Sequence, residues 1–437
     1  MIVPQEGDHL CVFVHGLWGT PAHLQALSTG LKEKHGSDSF HILVAHTNSQ
    51  YLTYDGIDLG GERVAKETEE ELARLEKAGR KVTKLSFVGY SLGGLIARYC
   101  IGLLYSRGWF DRLKPVNFTA FASPFLGVRT PYRGYHSSFW NAFGGRTLSA
   151  SGQQLFIMDT FRDTGRPLLS ILTEPNSIFI KALSLFKNRA LYANIINDRS
   201  APFFTTAISA TDPYEDLSLV DLHPLKEYSP TILDPNTPVT IKPAEQVSGL
   251  TRFLSSSSSV VSNLPIIALV SVLAPIGTVA FLANSGYQTI QSTRRMKLHN
   301  EDSTLGFSAY RTPLLLEAAI KDVNSNLPSQ KINDDDVTEK SAVSALTTEA
   351  SEEQILAAEK VKKSDPADEK KPFPTLALAP EQFEMIKNLN DLGWKKYGVH
   401  ITKVRHSHAA IVFRIDAERY SEGKVVIKHW INEEFEV

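Results

Sequence analysis

Three observations predict an α/β protein with a mostly parallel sheet and helices on both faces. Short apolar runs at His9–Val14, Phe40–Ala45, Leu85–Val88, Val116–Ala122 and Leu191–Ile196 read as buried strands. Helical patterns lie between them, at His23–Lys34, Glu62–Ala78 and Leu92–Leu104. Strand and helix in alternation imply parallel crossovers. Third, 437 residues with 42% hydrophobic side chains can bury more than one ordinary domain's core. A net charge of −2 gives no electrostatic footprint for nucleic acid. The two cysteines, Cys11 and Cys100, fall in an apolar strand and a helix and offer no disulfide framework, which fits a reducing compartment. The opening MIVPQEGDHL has neither a basic region nor a long apolar run, so no secretory signal is expected.

The first strand, His9–Val14, runs into His15-Gly16-Leu17-Trp18-Gly19. A strand followed by His-Gly is a place where an acyl-transfer enzyme can keep an oxyanion donor, here the Leu17 N–H. Pro21 suits a helix start. After Phe40–Ala45 a glycine-marked loop, TYDGIDLGGER, leads to the charged helix at Glu62–Ala78.

The centre of the chain is KLSFVGYSLGGLIARY, Lys84–Tyr99. Leu85–Val88 is a strand, Gly89-Tyr90-Ser91-Leu92-Gly93 a sharp turn, and Leu92, Leu95, Ile96, Tyr99 and Leu103 recur at helical spacing. Strand, G-x-S-x-G and helix together make a nucleophile elbow, the signature of an α/β-hydrolase fold. Gly89 and Gly93 let neighbouring backbone approach the turn. Ser91 is then the nucleophile, and the Leu92 N–H the second oxyanion donor.

Beyond Ser123-Pro124-Phe125-Leu126-Gly127 the periodicity breaks down at about 128–170, among Tyr132, Tyr135, Phe139, Trp140, Phe143, Phe156 and Phe161. Either an irregular cap packs these rings inward or a mobile lid turns them to lipid. Helix resumes at Ser177–Lys187. Asp198 directly follows the strand Leu191–Ile196, on a loop stiffened by Pro202, as a triad acid should; Asp212, Asp216 and Asp221 do not follow a strand.

Leu264–Ala283 is uncharged for about 20 residues, enough for about 30 Å of helix, and predicts contact with a membrane or lipid surface. Pro275 and Gly277 break a simple span. A single crossing would also part Ser91 and Asp198 from every later histidine. Entry and exit on one side suit a lipid-droplet monolayer, with Arg294, Arg295 and Lys297 placed to meet anionic headgroups. The charged stretch 322–372 has the composition of a disordered linker. A helix at Glu381–Leu392 follows, then Val399–Val404, His406-Ser407-His408, Ile411–Ile415 and an amphipathic Lys424–Phe435. His408 is the expected base; His406, His223, His299, His400 and His429 are the other histidines available after Asp198. The H-x-H pair lacks a third ligand at zinc-like spacing.

Residues 1–225 are thus expected to form the hydrolase core, 226–321 a linker with the apolar segment 264–283, 322–372 a charged linker, and 373–437 the completion of the core carrying the base. The elements His15–Gly19, Asp55–Arg63, Gly89–Gly94, Ser123–Gly127 and Asn197–Pro202 together resemble the putative serine esterase family, whose fungal branch includes lipid-droplet phospholipases. The resemblance extends over about residues 8–210, and the His408 segment and apolar insertion are similar too. Phe125 departs from the family, which usually carries a histidine after that proline. The resemblance implies a cofactor-free serine hydrolase of the α/β-hydrolase fold acting on acyl esters of lipids. Glycerophospholipids at a lipid droplet or the cytosolic face of the endoplasmic reticulum are the implied substrates. It carries the nucleophile to Ser91, the acid to Asp198 and the base to His408. An acyltransferase, a triacylglycerol lipase or a non-catalytic lipid-surface scaffold are the competing expectations.

Overall fold

The strands are β1 (His9–Val14), β2 (Phe40–Val44), β3 (Lys84–Tyr90), β4 (Lys114–Phe121), β5 (Asn188–Asn194), β6 (Val220–Leu222), β7 (Val239–Ile241) and β8 (Lys395–Val399). They are seen in a computed structural model that describes residues 8–36, 40–131, 149–242, 286–287, 290–297 and 373–437. Six of them form one sheet in the order β2-β1-β3-β4-β5-β8, every neighbouring pair parallel. β6 and β7 make a separate antiparallel ribbon.

Side-chain alternation along β1 shows why both faces of the sheet need cover. Leu10, Val12 and Val14 enter one hydrophobic core and Cys11 and Phe13 the other. Helices α2 (Ile57–Lys77), α3 (Leu92–Ser106), α4 (Ile178–Ser184) and α5 (Pro380–Asn390) supply apolar residues to the first core. Helices α1 (Gln25–His35) and α6 (Glu422–His429) supply the second. After α6 a wider helical turn, Trp430–Glu434, buries Trp430 edge-on against Phe13 and Phe121. Helices on both faces of an all-parallel sheet with an elbow after β3 constitute the α/β-hydrolase fold.

The chain order reverses between β1 and β3, since β2 lies on the far side of β1. Loops leaving those two strands diverge, and the crevice at such a switch point is where open α/β sheets bind ligands. The elbow and the His15–Gly19 loop both lie there.

Several boundaries differ from the periodicity. α2 starts at Ile57 rather than Glu62, because its first turn, rich in glycine, is clamped by Gln154, whose Oε1 accepts from Ile57 N at 2.6 Å. The last strand is Lys395–Val399, ahead of the apolar Val399–Val404 run. Its lysines are satisfied at the sheet edge, Lys396 by the Ile208 carbonyl and Asn390 and Lys395 by Glu434. Within the expected cap, Phe156 and Phe161 pack inward, being 3% and 4% exposed. Tyr132, Tyr135, Phe139, Trp140 and Phe143 lie outside the described residues, as do the apolar segment 264–283 and the charged stretch 322–372.

Candidate active site

Ser91 stands between β3 and α3 with φ 55° and ψ −128°, a region that non-glycine residues rarely occupy. Its N–H donates to the Phe121 carbonyl of β4 at 2.9 Å, and its own carbonyl accepts from Gly94 N at 3.1 Å. The turn closes because its glycines lack side chains. A Cβ on Gly89 would lie 2.4 Å from the Gly94 Cα, and one on Gly93 2.1 Å from the Val14 carbonyl oxygen.

β5 leads to Asp198, four residues past its end. Asp198 is 2% exposed at its side chain, and one carboxylate oxygen accepts from Ser200 N at 3.0 Å and Ala201 N at 2.8 Å. The other accepts from the Asn194 amide at 2.8 Å and from His408 Nδ1 at 2.9 Å. Burial alone would raise this carboxyl's pKa. The facing His408 and these donors outweigh burial and hold it below the usual carboxylate value.

His408 comes from a loop stitched to the acid's loop. Ser407 Oγ donates to the Ile196 carbonyl at 2.7 Å, and Ser407 N to the Asn197 carbonyl at 3.3 Å. The Tyr90 hydroxyl donates to the His408 carbonyl at 2.9 Å, and the two rings sit 5.3 Å apart. His408 Nε2 lies 2.8 Å from Ser91 Oγ. The ionised Asp198 can only accept, so Nδ1 carries the proton. Nε2 is then the acceptor for the serine hydroxyl.

The third wall is the His15–Gly19 loop. A Cβ on Gly16 would fall 2.6 Å from the Ser91 Cβ and 3.2 Å from its Oγ, so this backbone abuts the nucleophile directly. Trp18 has φ 54°; its amide donates to Thr53 Oγ1 at 3.0 Å and its indole to the Tyr54 hydroxyl at 2.5 Å. Leu17 lies between Gly16 and Trp18 in this braced loop, and Leu92 opens α3, where the first amides have no carbonyl partner within the helix. These are the two amides expected to meet an oxyanion.

The rival residues have other partners. His406 is exposed, His223 bonds Thr240 Oγ1 at 2.9 Å, and buried His429 bonds the Tyr192 hydroxyl at 2.8 Å. His299 lies outside the described residues. Asp212 accepts from Tyr214 N at 3.0 Å, Asp216 from Ser218 N at 2.9 Å, and Asp221 faces Lys242 at 3.7 Å. One expectation is corrected: Arg295 does not await a headgroup, because its guanidinium is engaged by buried Asp55 at 2.7 Å. Sequence reasoning missed Asn194, Ser407 and the role of Tyr90. Only Tyr90, inside the G-x-S-x-G element, stood in a place that could have suggested it.

A serine at a strained elbow, hydrogen-bonded to a histidine and through it to a buried aspartate, on an α/β-hydrolase sheet, defines the serine-hydrolase class. Residues 4–211 match the family described as Putative serine esterase (DUF676). The chain is 32% identical over 268 residues to "Putative lipase ROG1" of Saccharomyces cerevisiae, covering 58% of this chain and 36% of that protein. It is 28% identical over 213 residues to "Putative lipase C4A8.10" of Schizosaccharomyces pombe, covering 47% and 27%. The chain therefore spans only about a third of these relatives' length. Among solved structures it is similar to an extracellular alpha/beta-hydrolase from a Paenibacillus species, with 13% identity, 44% and 80% coverage and a TM-score of 0.25, too low to bear on the fold.

Proposed function

We propose that this protein is a serine hydrolase of lipid acyl esters, with glycerophospholipids at a lipid-droplet or membrane surface as substrate. The observation that carries the reading is the continuous run from Ser91 Oγ through His408 to Asp198, at 2.8 and 2.9 Å. His408 Nε2 takes the Ser91 proton as Oγ bonds to the ester carbonyl carbon. The Leu17 and Leu92 amides receive the oxyanion, each contributing roughly 3 kcal/mol to the barrier reduction. Collapse breaks the ester C–O bond, and the alcohol leaves with the proton from His408. Water, deprotonated by the same nitrogen, then releases the fatty acid and restores Ser91. Asp198 stays ionised and stabilises the imidazolium.

Lipid as substrate is supported by the relatives' names and by the uncharged 264–283 segment. Among the described residues no helix is long and apolar enough to cross a membrane. Our reading is that 264–283 anchors the enzyme from one side, at a droplet or the cytosolic face of the endoplasmic reticulum. Carbonate-resistant membrane association surviving deletion of 264–283 would overturn that anchor. We further read 8–225 and 373–437 as one catalytic unit, which the β5–β8 pairing supports.

The deciding experiment is fatty-acid release from phospholipid-coated triacylglycerol emulsions by the wild type and by Ser91→Ala. Release from phospholipid that the substitution abolishes is expected. Release from triacylglycerol alone would keep the mechanism and overturn the substrate. Equal release by both proteins would remove Ser91 from the mechanism, and no release from droplet-bound wild type would leave a scaffold.

A further inference from the structure

Four consecutive backbone carbonyls in the turn Gln50–Tyr54 accept hydrogen bonds from side chains distant in sequence. Tyr51 O accepts from Arg295 at 3.3 Å, Leu52 O from Arg63 at 3.2 Å, Thr53 O from Ser151 at 2.6 Å and Tyr54 O from Ser292 at 3.3 Å. The next residue, Asp55, is a fully buried carboxylate held between two guanidinium groups. Arg63 of α2 lies at 2.8 Å, and Arg295 meets both carboxylate oxygens at 3.1 Å through Nε and one at 2.7 Å through a terminal nitrogen. Ser292 and Arg295 are three apart on the helical stretch 290–297, so one helix face contacts Tyr51 O, Tyr54 O and Asp55 together.

The other side of the same turn holds the loop beside Ser91. Thr53 Oγ1 accepts the Trp18 amide, the Tyr54 hydroxyl accepts the Trp18 indole, Gln50 N donates to Gly19 O at 2.8 Å, and Ser49 Oγ meets His15 Nε2 at 3.2 Å. Residues on both sides of Leu17 are therefore fixed by 49–54, and 51–55 is fixed in turn by 290–297.

We infer that Arg295 is a positioning residue for the oxyanion loop: by closing the Asp55 carboxylate it holds the Gln50–Tyr54 turn against Trp18 and aims the Leu17 amide at the reacting carbonyl. The inference rests on the serine-hydrolase reading above and adds to it a residue 204 positions from the nucleophile in a different part of the chain. A buried carboxylate deprived of one of its two cations reorganises toward the remaining one, Arg63. Arg63 bonds Leu52 O, so the turn moves with it. A shift well under an ångström at an oxyanion donor lowers the rate without weakening ground-state binding.

The test uses the full chain, a water-soluble short-chain p-nitrophenyl ester and a fluorophosphonate probe, so that surface binding does not enter. Arg295→Gln is expected to lower kcat and the rate of Ser91 phosphonylation together by about tenfold, with KM changed less than about twofold. A trifluoromethyl ketone inhibitor should lose affinity by the same factor as kcat. Arg295→Lys should recover part of the loss, and Ser292→Ala should reproduce a smaller one. Lys77→Gln, exposed at the end of α2, should behave as wild type. Wild-type kcat and phosphonylation in Arg295→Gln would overturn the inference, as would a loss confined to KM or to the melting temperature. If Arg295→Gln does not fold, the same readings on Arg295→Lys and Ser292→Ala decide. A wild type that the probe does not label at Ser91 would instead overturn the serine-hydrolase reading itself.

Discussion

The Tyr90 hydroxyl donates to the carbonyl oxygen of His408 across 2.9 Å, so the residue before Ser91 also holds the backbone of the histidine that faces it. Burial pushes the Tyr90 phenol well above its ordinary pKa, which keeps it a donor across the working range. Tyr90→Phe removes a bond of about 1 kcal/mol and leaves the ring in place. The expected result is a fall in kcat of about fivefold at unchanged KM, read from steady-state hydrolysis of a soluble ester. An unchanged kcat would assign the bond to packing alone.

Asp198 tests the tautomer. Its Asn194-facing oxygen is also the acceptor for His408 Nδ1, so an asparagine there offers either an N–H where His408 needs an acceptor or an N–H set against the Ser200 and Ala201 amides. Asp198→Asn should fold normally and lose about three to four orders of magnitude in kcat. A loss smaller than about tenfold would point to another acid.

Gly16 separates folding from catalysis. The added methyl of Gly16→Ala meets the Ser91 side chain and the Tyr90 carbonyl at the mouth of the site. Turnover should drop by about a hundredfold or more, as when an oxyanion donor is lost, while far-UV circular dichroism stays that of wild type. Retained turnover would show that the loop lies elsewhere during the reaction.

Two buried histidines make stability depend on pH. Burial lowers His9 and His429 each to about 4, against 6.5 for the free side chain. Between those values the unfolded chain binds protons that the folded chain does not. Stability is therefore complete above about pH 6.5 and declines as pH falls towards 4, by about 1 kcal/mol per pH unit for each histidine. Thermal melts across that window should show the decline, and His429→Gln should flatten it in part. A melting temperature independent of pH would contradict the neutral, buried state of both rings.

What could be read in the sequence was what local pattern encodes. The β1, β3 and β5 runs are apolar because both sheet faces are covered, and the elbow is a local conformation with a local signature. That Asp198 and His408 meet beside Ser91 was expected because one follows a strand end and the other sits late, on a loop. β8 escaped because an edge strand bearing Lys395 and Lys396 has no apolar periodicity; its lysines find partners only in the folded chain. Asn194, Ser407 and the Asp55–Arg295 pair escaped for a related reason. Each acts across a distance set by topology, and nothing in the neighbouring residues marks them.

The pairing of β5 with β8 has a consequence for the order in which the enzyme is made. Asp198 and His408 are 210 positions apart, so at about 5–20 residues per second the ribosome takes about 10–40 s to pass from one to the other. Throughout that interval Ser91 has been made but His408 has not, and the β5 edge that pairs with β8 is open to other strands. On the proposed mechanism the nascent protein is therefore hydrolytically silent. Residues 373–437 both close the sheet and, in the proposed mechanism, bring the base. On the proposed mechanism, truncation before His408 should thus release an inert, aggregation-prone fragment rather than an active hydrolase.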